Sequence, residues 1–361
     1  MHIEQRPLRA LAGAIFERGG SEAAEARLVG DHLVDANMAG HDSHGVGMIP
    51  TYVRHLGAGL VKPNTPADLV RDDGAILVFD GNRGYGRRAA GGAMAAAIDR
   101  CRDTGVVVSG LRRAHHIGRV GAFGEQVMAA GFVSVHFVNV TDHAPAVAPF
   151  GGADARYVTN PVCVAVPGTE TTPPVVLDMA TSKIAAGKVR VALNKGEKLP
   201  PGMVIDAAGR PSTDPGVLYS TPRGALLPIG EHKGSGLALI CEILAGALTG
   251  GGTIQDEAAR QDGIINNMLS FIVDPGRLVD ADWLGAEIDA LIAYVKASPP
   301  ADPATPVMVA GDPERAARIA RDRDGIVIDD TTWAGIIEAA GTIGLSDGEI
   351  KTLTGSSLTA S

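Results

Sequence analysis

The chain is poor in cysteine: Cys101, Cys163 and Cys241 are the only three among 361 residues. They lie far apart and form no C-x-x-C pair, which excludes a disulfide framework and a thiolate zinc site and leaves three apolar thiols in a reducing compartment. A run long enough to cross a bilayer is also missing, because the most apolar window, GLALICEILAGALTGG at 236–251, is too short and carries Glu242. Blocks of like charge are absent too. The net charge of −9 is spread along the chain and gives no electrostatic footprint for nucleic acid or an anionic membrane. The opening MHIEQRPLRALAGAIFERGG interleaves charges with apolar residues and does not read as a signal peptide, so a cytoplasmic location is the expectation. What remains, 45% apolar and 20% charged, is a globular composition large enough for two cores, with a small molecule as the expected partner.

Periodicity predicts helices at both ends. Residues 7–18 carry Pro7 in the first turn, place Leu8, Leu11, Ala12, Ile15 and Phe16 on one face, and stop at Gly19-Gly20. Ser21, followed by Glu22 and Glu25, is expected to cap a second helix that buries Leu28, Leu33 and Ala36 and stops near Gly40. The segment HDSHG at 41–45 is then a tight turn, with Gly45 and Gly47 freeing the backbone, before a short amphipathic run with Tyr52 and Arg54. From Ala75 the character changes. Short β-branched runs (AILVFDG, VVVSG, GFVSVHFVNV, NPVCVAVPG, PPVVLDMA, MLSFIVD) alternate with helical spacing at 89–103 and 235–249, the signature of an α/β unit. Helical spacing returns at 282–297, with Ile288, Leu291, Ile292 and Val295 on one face, and continues at 313–323 and 332–343. The expected organisation is a helical domain made of residues 1–70 with 281–361, around an α/β domain of 71–280. Low-complexity sequence is confined to the closing TGSSLTAS.

Residues 84–89, GYGRRA, match the dinucleotide-binding pattern G-x-G-x-x-A and stand between a strand and an alanine-rich helix. The context argues against that role. The glycines start three residues beyond the strand, and the next strand, VVVSGLRR, lacks the acid that would hold a ribose hydroxyl. A structural turn is the reading adopted.

Histidine carries the chemical signal. His2, His32, His55 and His136 are isolated and read as satisfied structural residues, whereas His41 with His44, His115 with His116, and His232 beside Lys233 sit next to glycine in turns. Such histidines can donate a proton to a developing alkoxide at neutral pH. A metal reading of H-D-S-H lacks the third ligand a catalytic metal needs. Two strand ends open into polar turns, YVTNPVC with Thr159 and Asn160, and LDMATSKIAAGK with Asp178, Thr181, Ser182 and Lys183, where open α/β sheets bind ligands; helix capping is the alternative for the second. EHKGSGLAL puts a cation and two glycines ahead of a helix, and GDPERAARIARDR starts another with Asp312 as its cap and Pro313 in first position.

Taken in order, HDSHGV (41–46), HHIGRVG (115–121), APFGG (148–152), TNP (159–161), DMATS (178–182), HKGSGLAL (232–239) and GDPE (311–314) resemble the malate/L-lactate dehydrogenase family that lacks a Rossmann fold, over nearly the whole chain. HDSHGVGMIP is most similar to the hydroxycarboxylate dehydrogenase branch. The resemblance implies a mixed-sheet, non-Rossmann NAD(P)-binding α/β domain, a helical domain formed by the chain ends, and a homodimer. It implies NAD or NADP as cofactor and a 2-hydroxy or 2-oxo acid as substrate. His44, His116 and Asp178 would be catalytic, and Ser43, Tyr52 and Arg119 would meet the substrate. The cofactor would lie against His44, Gly118, Arg119, Val120, Thr159, Asn160, Leu177, Asp178, Met179, Thr181, Ser182, His232, Lys233, Gly234, Asn266, Gly311, Asp312 and Glu314. Two departures stand out. Many relatives have an arginine just after S-H-G where this chain has Gly47-Met48, which leaves Arg119, ahead of Arg54, as the carboxylate partner; and Arg113-Ala114 replaces a common Asn-Ser. The rival readings are a cyclic-imine reductase of the same family, a metal-dependent hydrolase or lyase, and a non-catalytic binding protein.

Overall fold

Leu8, Leu11, Ala12, Ile15 and Phe16 are all completely buried in the computed structural model, which describes residues 1–255 and 260–355. In chain order the elements are β1 (His2–Ile3), α1 (Gln5–Arg18), α2 (Ala23–Met38), α3 (Ile49–Gly57), β2 (Asp68–Asp73), β3 (Ile76–Asp80), α4 (Gly86–Thr104), β4 (Val106–His115), α5 (Gly121–Met128), β5 (Val133–Thr141), β6 (Val162–Val166) and β7 (Val175–Met179). They continue with α6 (Ala186–Lys195), β8 (Val204–Ile205), β9 (Pro211–Ser212), β10 (Ala225–Leu226), α7 (His232–Cys241), β11 (Ile265–Val273), α8 (Ala281–Lys296), α9 (Asp312–Asp324), β12 (Ile326–Val327), α10 (Asp330–Thr342) and α11 (Asp347–Thr354). The closing residues 356–361, most of the low-complexity segment, lie outside the described residues.

Seven strands form one mixed sheet in the order β2-β3-β4-β11-β5-β6-β7. Only β3 and β4 run parallel among its neighbours; the other pairs are antiparallel. Alternation along β11 sends Met268 and Ile272 into the core beneath α4 and α5, and turns Asn267 toward the helix that follows α7. That helix is a π-type turn, Glu242–Ala247, continuing α7 without a break. A β-bulge between Asn266 and Met268 shifts the pairing of β11 with β4. Its place is next to the loop that carries His116.

A second core joins the two chain ends: α1, α2 and α3 pack with Tyr85, Ile326, Ile328, Ile336, Ala340, Leu345 and Ile350. A third, small one holds Val147, Val189, Leu199, Val204, Leu218 and Leu226 around the three-stranded sheet β10-β8-β9. No helix among the described residues is long and apolar enough to cross a membrane.

Several local expectations are revised. Ser21 does not cap α2, which starts after Glu22; its hydroxyl donates instead to Glu25, 2.9 Å away and buried. Leu28 is only partly buried, because α2 turns Ala26, Val29, Leu33 and Val34 inward at helical spacing. Helix α8 forms as expected, but none of its residues is buried, and Trp283, Leu291 and Tyr294 are exposed. β3, α4 and β4 do make a parallel crossover around GYGRRA, yet a Cβ on Gly86 would run into the backbone carbonyls of His115 and His116. Glycine there lets α4 approach β4, a packing role.

Candidate active site

The turn between α2 and α3 is pinned from α2. Asn37 accepts from the Val46 N–H at 2.8 Å and donates to Asp42 at 2.6 Å, while Arg321 of α9 holds both Asp42 oxygens at 2.6 and 2.8 Å. The backbone freedom expected of Gly45 and Gly47 is not used for a left-handed φ; Gly45 has φ −87°, and a Cβ there would overlap the Asn37 amide. With the turn fixed, His44 faces inward.

His44 Nδ1 lies 3.2 Å from His116 Nε2, and the two rings stack with centroids 5.3 Å apart and 17° between planes. Tyr52, on the buried face of α3, brings its hydroxyl to 2.8 Å from His116 Nδ1 and 3.2 Å from the His116 carbonyl. Burial pushes the Tyr52 phenol up, so it keeps its proton. One phenolic proton and one proton per neutral ring allow two arrangements. If Tyr52 donates to the carbonyl, His116 Nδ1–H donates to the phenol oxygen, His44 Nδ1–H donates to His116 Nε2, and His44 Nε2 is left as an acceptor. If Tyr52 donates to His116 Nδ1, the chain reverses and His44 Nε2 carries a proton. In both, Nε2 of His44 has no partner among the described residues. Burial, with His41 and Arg119 nearby, pushes His44 down to about 4; burial and His44 push His116 down in the same direction. The pair is therefore neutral near pH 7.

Three other histidines pack around this pair. His115 and His55, both fully buried, are 2.8 Å apart, and His115 packs edge-on against Tyr52 at 4.8 Å. His32 meets the Ile117 carbonyl at 2.8 Å, and the Ile117 N–H donates to Asn266 at 3.0 Å. The loop after His116 is thereby fixed on both sides, with Gly118 in the left-handed region at φ +75°.

Other expected site residues take their places around it. Arg119 is 2% exposed and ion-paired to Glu125 at 2.5 Å, with Nη1 unpartnered. Asp178, near the end of β7, accepts from the Gly121 N–H at 2.7 Å; burial raises its pKa against the pull of His41 and Arg119. His41 pairs with Glu314 at 3.0 Å. The Thr159 carbonyl accepts from the Thr181 N–H at 2.8 Å and hydroxyl at 2.9 Å, tying the TNP turn to DMATS, and the Ser182 hydroxyl donates to the Ile184 carbonyl at 2.9 Å. Asn160 is fully buried; its Nδ2 donates to Glu242 at 2.8 Å and the Ala238 carbonyl at 3.2 Å, while Oδ1 has no partner. Leu177 is exposed at the sheet edge; His232 and Lys233 stand exposed at the start of α7, where Gly234 is buried. Asp312 is held by Lys296 at 2.9 Å, Arg315 at 2.6 Å and the Val309 N–H at 3.0 Å, just after Gly311 at φ +93°. Ser43 packs where a Cβ on Gly187 would fall, and Arg54 points to His55 at 3.4 Å. Among the described residues no group of three or more His, Cys, Asp or Glu is disposed to hold a metal ion.

Two features escaped the sequence reading. Arg190 of α6 stands over Gly47, 3.2 Å from where a Cβ would lie, in a cavity of about 190 Å³ shared with Ser43, Gly187 and Lys188. Glu242 is the other, and its isolated charge within an apolar window was the signal.

The profile of the malate/L-lactate dehydrogenase family matches residues 3–337. Hydroxycarboxylate dehydrogenase B of Escherichia coli (strain K12) is 45% identical over 347 residues, covering 96% of this chain and 95% of its own. L-lactate dehydrogenase of Cupriavidus necator is 41% identical over 333 residues, covering 92% and 95%. A solved structure from E. coli, described as a malate/lactate dehydrogenase, superposes with TM-score 0.93 at 43% identity, covering 98% of both chains.

Proposed function

The chain belongs to the malate/L-lactate dehydrogenase family and is an oxidoreductase of that family, a hydroxyacid dehydrogenase, and on that premise we propose that it interconverts 2-hydroxycarboxylates and 2-oxo acids with NAD or NADP, using the His44–His116 pair as its acid/base. The observation that carries this reading is the hydrogen-bonded chain Tyr52–His116–His44, which ends on a free ring nitrogen. In the oxidation direction His44 Nε2 takes the hydroxyl proton, and the added charge is shared with His116 across the 3.2 Å contact. In reduction the protonated pair returns that proton to the oxygen at C2.

The residues present fit a nicotinamide cofactor. The buried, unpartnered Oδ1 of Asn160 matches a carboxamide N–H, and Thr159, Asp178 and Thr181 belong to the same tied strand ends. When bound, NAD or NADP supplies or takes the hydride at nicotinamide C4. Tyr52 would act through His116, since the residue is 2% exposed and its hydroxyl is already engaged there. The substrate carboxylate needs a cation. Arg190 has no ion pair within 4 Å among the described residues, whereas Arg119 is bound to Glu125, which favours Arg190. The exposed Leu239, Ile240, Ile243 and Leu248 of the α7 segment, with Trp283 and Tyr294 of α8, are apolar surface that a homodimer would cover.

The test is absorbance at the reduced-nicotinamide band with NADH and NADPH in parallel, against 2-oxo acids from pyruvate and oxaloacetate to phenylpyruvate, with a cyclic imino acid alongside. Oxidation of one cofactor with graded preference among the oxo acids is expected. Turnover of the imine alone, or none with either cofactor from folded protein, overturns the proposal.

A further inference from the structure

Glu242 is 4% exposed and opens the π-type turn that extends α7. Widened turns of this kind recur at functional sites. Oε1 of Glu242 accepts from Asn160 Nδ2 at 2.8 Å; Oε2 accepts from Asn139 Nδ2 at 2.9 Å and from the Ile254 N–H at 3.0 Å. Three donors therefore converge on two carboxylate oxygens, and no cation is among these partners. The arrangement dictates which way each amide points. Both hydrogens of Asn160 Nδ2 are engaged, by Glu242 and by the Ala238 carbonyl, so Oδ1 must face the other way, where it is buried with no partner among the described residues. A buried acceptor left unmatched is costly, and an N–H from a ligand would remove that cost.

The same network reaches the histidine loop. Asn267 donates to Asn139 Oδ1 at 2.9 Å and accepts from the Arg113 N–H at 2.8 Å; Asn266 donates to the Asn139 carbonyl at 3.0 Å and accepts from the Ile117 N–H at 3.0 Å. The backbone on either side of His115 and His116 is thus tied to Asn139, on the Arg113 side through the side-chain amide that Glu242 orders and on the Ile117 side through the main-chain carbonyl. The helix is shaped around them: a Cβ on Gly246 would overlap Asn139, and one on Gly251 would overlap Asn267.

We propose that Glu242 is a positioning residue for the nicotinamide end of the cofactor: it holds Asn160 with Nδ2 inward, so that Oδ1 receives the carboxamide N–H. The inference rests on the nicotinamide-dependent reading above. Asn266 joins the same scaffold, accepting from the Ile117 N–H and donating to the Asn139 carbonyl.

The test compares Glu242→Gln with the wild type by calorimetric binding of NADH and of its 3-acetylpyridine analogue, in which a methyl replaces the carboxamide NH2; the phosphorylated pair is used if NADPH is preferred. Glutamine keeps the shape but brings a donor, which turns Asn160 over to accept from it and points Nδ2 at the cofactor. Wild type should bind the analogue about tenfold more weakly than NADH. Glu242→Gln should weaken NADH by about tenfold and the analogue by less than about twofold. Equal weakening of both ligands, or no weakening of either, overturns the proposal, since a merely structural residue does not distinguish them. If the variant fails to fold, the wild-type comparison decides: equal affinity for NADH and the analogue also overturns it. Failure of the wild type to bind either NADH or NADPH is a different result, and refutes the functional reading on which the inference rests.

Discussion

Lowering the pH from 7 to 5 should destabilise the protein steeply, and buried histidines set the size of the effect. His136, fully buried in β5, lies between the hydroxyls of Ser270 at 2.8 Å and Ser134 at 2.9 Å. His32, 5% exposed, faces the Ile117 carbonyl. Burial holds His136 at about 4, and burial with the nearby Arg87 holds His32 at about 3. Both values lie below that of the unfolded chain, about 6.5. Between the folded and unfolded values the unfolded state binds more protons, so stability is complete above pH 6.5 and is lost as pH falls toward the folded values. Each residue then removes about 2 kcal/mol between pH 7 and pH 5, and the two together about 4 kcal/mol. The His55–His115 pair is shifted in the same direction and steepens the loss. Against a total stability of about 5–15 kcal/mol, that brings the fold near its limit. Urea denaturation followed by circular dichroism across this range measures it. His136→Gln should reduce the slope by one proton, about 1.4 kcal/mol per pH unit. A free energy of unfolding that stays constant from pH 7 to pH 5 would refute the burial argument.

Three substitutions examine the site and the packing that positions it. His44→Ala and His116→Ala should each lower kcat by about 10²–10⁴, and the double variant should be no worse than the poorer single one, because the rings act as one unit; steady-state rates at saturating substrate settle it, and additive losses contradict the shared proton. Gly86→Ala should cost about 2–4 kcal/mol in urea denaturation, since the new methyl meets the His115 and His116 carbonyls, and an unchanged midpoint would show that α4 can retreat from β4.

The elements were legible where one periodicity dominated. The face of α1 and the β-branched cores of β3 to β7 and β11 follow from spacing alone. Strand β2 was not visible because DLVRDD is polar and wholly exposed, and it is a strand only because β3 offers an edge. The sheet β10-β8-β9 has strands of two residues, too short for any period. Strand order is a tertiary property: β11 inserts between β4 and β5 from far along the chain. At the site, glycine turns mark the clusters His41/His44, His115/His116 and His232, and the family resemblance picks out His44 and His116, but local sequence could not show that His44 meets His116 while His55 meets His115. Tyr52 was noticed as an aromatic beside a histidine turn; that its hydroxyl lies on His116 depends on how α3 leaves that turn. Glu242 counted in the sequence only as an argument against a membrane span. Its position in an apolar window already implied buried partners, because a carboxylate without them would not remain there.

The most direct measurement follows the hydride. The best 2-oxo acid from the cofactor assay is reduced with nicotinamide stereospecifically deuterated at C4, using each of the two labelled forms, and the product is analysed by mass spectrometry. The account predicts deuterium at C2 of the 2-hydroxy acid with one labelled form and not the other. A reduced product with no deuterium at C2 from either form, or no reduction of any 2-oxo acid, would contradict it.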